Sequence, residues 1–162
     1  MQTLSRWMRA VGVFYILNGF ALMFVYLVPT AQRGMISQAV PGADAGDPLL
    51  GYALEIWLMF AMEMIVIGVF LLLGSRNAWA NRILVLAVLG LELIRGVLDD
   101  LVWIANGYPP AFYIAWILIH SVIIVTGVLA LRSTHSERRE DRMLPGMAAR
   151  DRATAMSIER GA

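Results

Sequence analysis

The chain has 162 residues, room for one domain, and 59% of them are hydrophobic, giving a mean hydropathy of +0.68 far from the average soluble composition. It contains no cysteine, which excludes disulfides, thiolate metal sites and cysteine nucleophiles. All 13 basic residues are Arg, set mostly in short segments beside apolar runs, and the net charge is +1; neither fact fits a nucleic-acid partner, and an integral membrane protein is the expectation.

Met1 to Arg9 is short and basic, and it leads into a first predicted span over about 8–28 that Pro29 stops. The length suits a spanning helix, with Trp7 as its interfacial anchor. The run is longer than a signal-peptide core and no Ala-x-Ala pattern follows it, so it is expected to stay in place as a span. Gly12 and Gly19 are seven residues apart and fall on nearly one face, where another helix can approach closely. Asn18, near mid-membrane, is expected to bond a neighbouring helix, with ligand binding as the alternative.

Thr30 to Leu50 is broken by Gly34, Pro41, Gly42, Gly46 and Pro48 and reads as a loop. The second span, about 51–73, carries Glu55 and Glu63 among Met59, Met62 and Met64. The two carboxylates lie roughly 80° apart around the helix and about 12 Å apart along it. Glu55 is close enough to the helix end to reach water, whereas Glu63 is deep and needs a partner. The methionines read as flexible packing.

After a polar break at Gly74 to Arg82, the third span, about 82–105, holds Glu92, Arg95, Asp99 and Asp100. An Asp or Arg at the centre of a spanning helix costs roughly 2.5 to 3.5 kcal/mol, against about 0.3 to 0.6 returned by each Leu, Ile or Val, so this helix needs neighbours. In regular α winding Glu92, Arg95 and Asp99 share one stripe, with Arg95 in reach of both carboxylates and Asp100 pointing about 100° away. One arginine cannot neutralise Glu55, Glu63, Glu92, Asp99 and Asp100, so several carboxyls should be protonated, wet or otherwise paired.

A turn at Asn106 to Pro110 leads to the fourth span, about 111–131, with Trp103, Tyr108, Tyr113 and Trp116 as an aromatic belt. His120 lies a third to a half of the way through; a hydrogen-bonded core role is the plainer reading, and a ligand or proton-relay role the sharper one. Residues 132–162, with seven Arg and five acids, read as a charged, largely disordered tail.

The fold class expected from these segments is all-α, an integral membrane four-helix antiparallel bundle over 1–131. The Arg distribution puts both termini on the cytoplasmic side, because the N-terminal segment, the 74–82 connection and the tail hold two, two and seven Arg while the opposite side holds only Arg33. Alternating spans bring Asn18, Glu63, Glu92, Arg95 and His120 near the midplane, with Asp99, Asp100 and Glu55 in the outer half, as a polar core opening outward.

The opening Arg6-Trp7-Met8-Arg9-Ala10-Val11-Gly12-Val13-Phe14-Tyr15, followed by four spans, resembles small bacterial four-helix membrane families, in particular the BphX-like proteins encoded beside aromatic-degradation enzymes. The resemblance covers about 1–132. It implies the bacterial inner membrane and an accessory role in handling small hydrophobic compounds, and it carries over no catalytic residue.

Three function classes follow. The first is a non-enzymatic bundle that binds or helps move a small hydrophobic or weakly charged molecule, with Glu92, Arg95 and Asp99 as a salt-bridged network and proton coupling through Glu63, Glu92 and His120. The second is an interaction or structural subunit, in a homo-oligomer or with a partner membrane subunit, whose polar groups fix helix register. The third is an intramembrane metal enzyme with Glu63, Glu92 and His120 as ligands; it lacks the Glu-x-x-His pairs of carboxylate-bridged bundles. No cofactor is expected, and His135, in the tail, cannot join His120 as a second haem ligand.

Overall fold

The computed structural model describes the backbone of residues 2–39 and 48–159 and the side chains of 2–35, 51–52 and 54–136. Among these residues the chain is all helix, without a strand: α1 (Gln2–Leu27), α2 (Pro29–Ala39), α3 (Pro48–Gly74), a short 3-10 turn (Ser75–Asn77), α4 (Arg82–Leu91), a π-helical segment (Glu92–Leu98), α5 (Asp99–Ala105) and α6 (Pro110–Glu159). Three stretches are long and apolar enough to cross a membrane, Gln2–Leu27, Leu54–Asn77 and Pro110–Ser136. No more than 22% of any of their apolar windows is buried. Leu17, Phe24, Met59, Leu118 and Val122 stand more than half exposed, so these helices present apolar side chains outward as well as inward.

The closest packing joins α1 to α3, running antiparallel. A Cβ added at Gly12 would lie 2.9 Å from the Gly68 carbonyl oxygen, one at Gly68 would lie 2.7 Å from that of Gly12, and one at Gly19 would lie 2.7 Å from that of Ala61. The glycine face read from the sequence is therefore the seam on which two backbones meet. Helix α6 packs on α1 and on the whole α4–π–α5 stretch, whereas α3 touches that stretch only sparsely. Between α3 and the π segment direct packing is therefore slight.

Buried side chains concentrate at one end. Leu4, Trp7, Met8, Val11, Tyr15, Leu71, Ala78, Val85, Val88, Ile123 and Ala130 form one cluster, drawn from the start of α1, the end of α3, the start of α4 and the second half of the apolar part of α6. The same end carries Arg6, Arg9, Arg76, Arg82 and Arg132. It is tied by Ser5 Oγ donating to the Ser75 carbonyl (2.8 Å) and by Asn81 Nδ2 donating to the Gly74 carbonyl (3.2 Å), which satisfies carbonyls left open at the end of α3. At the opposite end Trp103 stacks on Tyr113 and Tyr108 meets both rings edge-on, beside the Asn106–Gly107 turn whose glycine, at φ 88°, closes α5 as a left-handed cap.

Several expectations change. Residues 29–39 are helix, not loop: Pro29 stops α1 because it has no N–H to give, and the same residue suits the first position of a new helix. The loop expected over 40–47 lies outside the described residues. Trp7 is no interfacial anchor; it is 7% exposed, its indole N–H donates to Thr126 Oγ (3.1 Å), and its ring lies over Gly127. Helix α6 continues to Glu159 through the segment read as a disordered tail, whose Arg, Glu, Ala and Met content favours helix. The third predicted span is helical over 82–105 but is not regular α-helix, and that irregularity shapes the polar interior.

Candidate functional site

Between Glu92 and Leu98 the backbone takes the wider i to i+5 register, and the Asp99 amide reaches back to the Ile94 carbonyl. Such single π turns inside α-helices recur at functional sites. With an extra residue in the turn, each step rotates less, so the side chain seven residues after Glu92 leaves its face and the one eight residues after comes round to it. That is the physical reason the expected stripe fails. Arg95 reaches neither Glu92 nor Asp99, and the aspartate that turns toward the Glu92 side is Asp100.

Glu92 is the centre of the arrangement, 4% exposed. The Tyr15 hydroxyl, from α1, donates to its Oε1, and the Nδ1 of His120, from α6, lies 2.6 Å from its Oε2. Three helical segments thus converge on one carboxyl group, and both of its oxygens are engaged. Gly96, one turn on, makes room: a Cβ there would collide with the His120 ring. On the far side of the ring, Nε2 lies 4.0 Å from Asp100 Oδ2, a buried oxygen without a hydrogen-bond partner among the described residues. Trp116 tilts against the same imidazole, with ring centroids 6.1 Å apart, so the fourth aromatic of the expected belt belongs to this site.

The order of groups is Tyr15, Glu92, His120, Asp100. At 2.6 Å a proton between Glu92 and His120 can reside on either, as carboxylate with imidazolium or as acid with neutral imidazole, and in both forms Nε2 carries a proton on the side of Asp100. The arrangement can therefore pass a proton from one end of the imidazole to the other without moving the backbone.

The other charged pair is separate. Arg95 forms an ion pair with Glu63 of α3 and lies over the Phe60 ring at 5.0 Å. The side chains remain 48% and 39% exposed. Glu63 thus pairs with a residue of the π segment and not of its own helix. Asn18 donates to the Met64 sulfur at 3.7 Å, a weak bond to a neighbouring helix. Asp99 and Glu55 are exposed, outside the buried group. Glu63, Glu92 and His120 do not form a three-donor metal site, and among the described residues no group of three His, Asp or Glu side chains could hold a metal.

Tyr15 was not legible as a site residue. Its signal was helical spacing: it shares a face of α1 with Met8, Val11, Gly12 and Gly19, all buried, and a hydroxyl on such a face requires an acceptor.

No curated protein and no solved structure matches the chain. A family model does, over residues 1–136, which takes in every group described above. The chain belongs to the BphX-like family.

Proposed function

We propose that the chain is a multi-pass protein of the bacterial inner membrane, with four spans in an antiparallel bundle and both termini cytoplasmic. Its interior binds, or helps move, a small hydrophobic or weakly charged molecule together with a proton carried by Glu92 and His120. The bundle reading draws on the helical stretch over 82–105 and on its packing against α6. The orientation draws on the Arg gathered at one end and the aromatic rings in contact at the other.

The observation that carries the functional reading is the buried Tyr15–Glu92–His120 chain with Asp100 beyond it. Ionisable groups at this depth of an apolar bundle are costly and mark ion or substrate pathways more than ordinary packing. The buried cluster thins toward the end away from the Arg residues, the side from which a small molecule would reach Asp100.

With only two histidines in the chain, ring-labelled His120 can be followed by nitrogen NMR in a His135→Asn background. A shared proton predicts that Glu92→Gln shifts both the titration and the tautomer of His120. An imidazole that titrates unchanged in Glu92→Gln would sink the relay. Native mass spectrometry after gentle extraction checks the cargo: a retained small organic molecule supports the reading, and bare protein or lipid alone moves weight to the second reading.

That second reading, an interaction subunit, has its own observation. The Glu63–Arg95 pair is half exposed in the middle of apolar helices, and charges at that depth face protein or water, not hydrocarbon. A partner helix, from a second copy or another subunit, would cover it. Arg95→Leu should then change the oligomeric state in mild detergent; an identical size distribution for wild type and variant would count against it.

A further inference from the structure

The Arg-rich end carries a second polar assembly that takes no part in the Glu92 chain. A cleft of about 490 Å³ lies between the start of α1 and the turn after α3, lined by Ser5, Arg6, Arg9, Ser75, Arg76 and Asn77 among others. Three guanidinium groups from two separate elements face one concavity. Among the described residues, none of the three forms an ion pair with a carboxylate, although the protein has almost as many acids as bases.

The assembly is held from beneath. Ser75 is 4% exposed; its hydroxyl donates to the Leu72 carbonyl at 2.7 Å and accepts from Arg9 Nε at 3.3 Å. Its carbonyl accepts from Ser5 Oγ. Fixing Arg9 through Nε leaves its two terminal nitrogens for a ligand. Arg6 uses one terminal nitrogen in a long bond to Gln2 (3.4 Å), and Arg76 makes none of the described hydrogen bonds. The first-turn amides of α1, which have no intrahelical acceptor, belong to the same end and add a positive dipole terminus. Planar forks with spare donors and a helix start are the recognition set for a tetrahedral oxyanion, and the Ser5 and Ser75 hydroxyls, whose protons go to backbone carbonyls, brace the cleft.

We infer that this cleft, lined by Arg6, Arg9, Arg76, Ser5, Ser75 and Asn77, binds a phosphate group, presented either as the headgroup of an anionic phospholipid or as free phosphate. The neighbouring cleft of Arg82, Arg132 and His135 has fewer guanidinium groups and serves as the control. The lipid source rests on the membrane reading, which alkaline extraction of membranes tests separately.

The experiment is native mass spectrometry of detergent-purified protein mixed with phosphatidylglycerol or with phosphatidylcholine. Wild type should retain one phosphatidylglycerol per protomer with about tenfold preference over phosphatidylcholine. Arg9→Gln/Arg76→Gln should lose that preference, and the charge-matched Arg82→Gln/Arg132→Gln should keep it. Arg76→Gln alone, which breaks no described hydrogen bond and so leaves the fold intact, should lower the preference several-fold. Displacement of phosphatidylglycerol by millimolar inorganic phosphate would assign the phosphate group itself as the ligand; its retention would assign the whole headgroup with its chains. Equal loss in the two double variants would overturn the inference in favour of a diffuse positive surface, and equal retention of the two lipids by wild type would overturn it in favour of lipid held by its chains alone.

Discussion

Glu92 and Arg95 occupy the same π turn, three residues apart, yet the fold treats them in opposite ways. Glu92 faces inward, with a tyrosine on one oxygen and a histidine on the other. Arg95 faces α3, with one carboxylate partner and half its surface open. The difference follows from which neighbour lies close: α6 packs along the inward face, where Tyr15 of α1 also reaches in, while α3 barely touches the outward one. A charged residue in an apolar helix is thus placed by the helix packed on that face, and the same sequence segment serves an enclosed site and an open surface.

The contrast predicts unequal mutational costs. Glu92→Leu strands the Tyr15 hydroxyl and the His120 nitrogen in a buried site and should cost about 3 to 5 kcal/mol, read as the shift in denaturant or heat unfolding in detergent. Gly96→Ala places a methyl group against the imidazole and should cost up to about 3 kcal/mol, with the His120 NMR signal displaced even where the protein stays folded. Tyr15→Phe removes one hydrogen bond and should cost about 1 kcal/mol while leaving the His120 contact in place. Arg95→Leu, on a pair this exposed, should cost less than about 1 kcal/mol in detergent. A loss for Arg95→Leu as large as for Glu92→Leu would erase the distinction, and would mean that the Glu63–Arg95 pair is enclosed in solution.

The sequence made some of this visible and hid the rest for identifiable reasons. The apolar runs of α1, α3 and α6, the Gly12–Gly19 face, the need of Glu63 for a partner and a hydrogen-bonded His120 all follow from local composition and 3.6-residue spacing. Asn18 on a neighbouring helix is of the same kind. The Glu92–Arg95–Asp99 stripe failed because it assumed α winding through Gly96, where the backbone opens into a π turn and the imidazole occupies the space beside the glycine. Trp7 was misread because a tryptophan near a basic terminus fits a membrane interface as well as a helix seam; only the opposing Gly127 and Thr126 decide between them. Such choices depend on residues more than a hundred positions away, which periodicity within one segment cannot see.

A π turn is an insertion that a helix has absorbed without making a loop. In an unbroken α-helix, residues seven apart come back within about 20° of one another, whereas Glu92 and Asp100, which both approach His120, are eight apart. A chain one residue shorter between them would keep both groups in line by ordinary winding. Among related chains, then, the spacing itself is diagnostic: a separation of eight marks the widened turn, a separation of seven marks a plain helix, and an alignment that hides the difference with a gap elsewhere would pair Asp99 with the wrong partner.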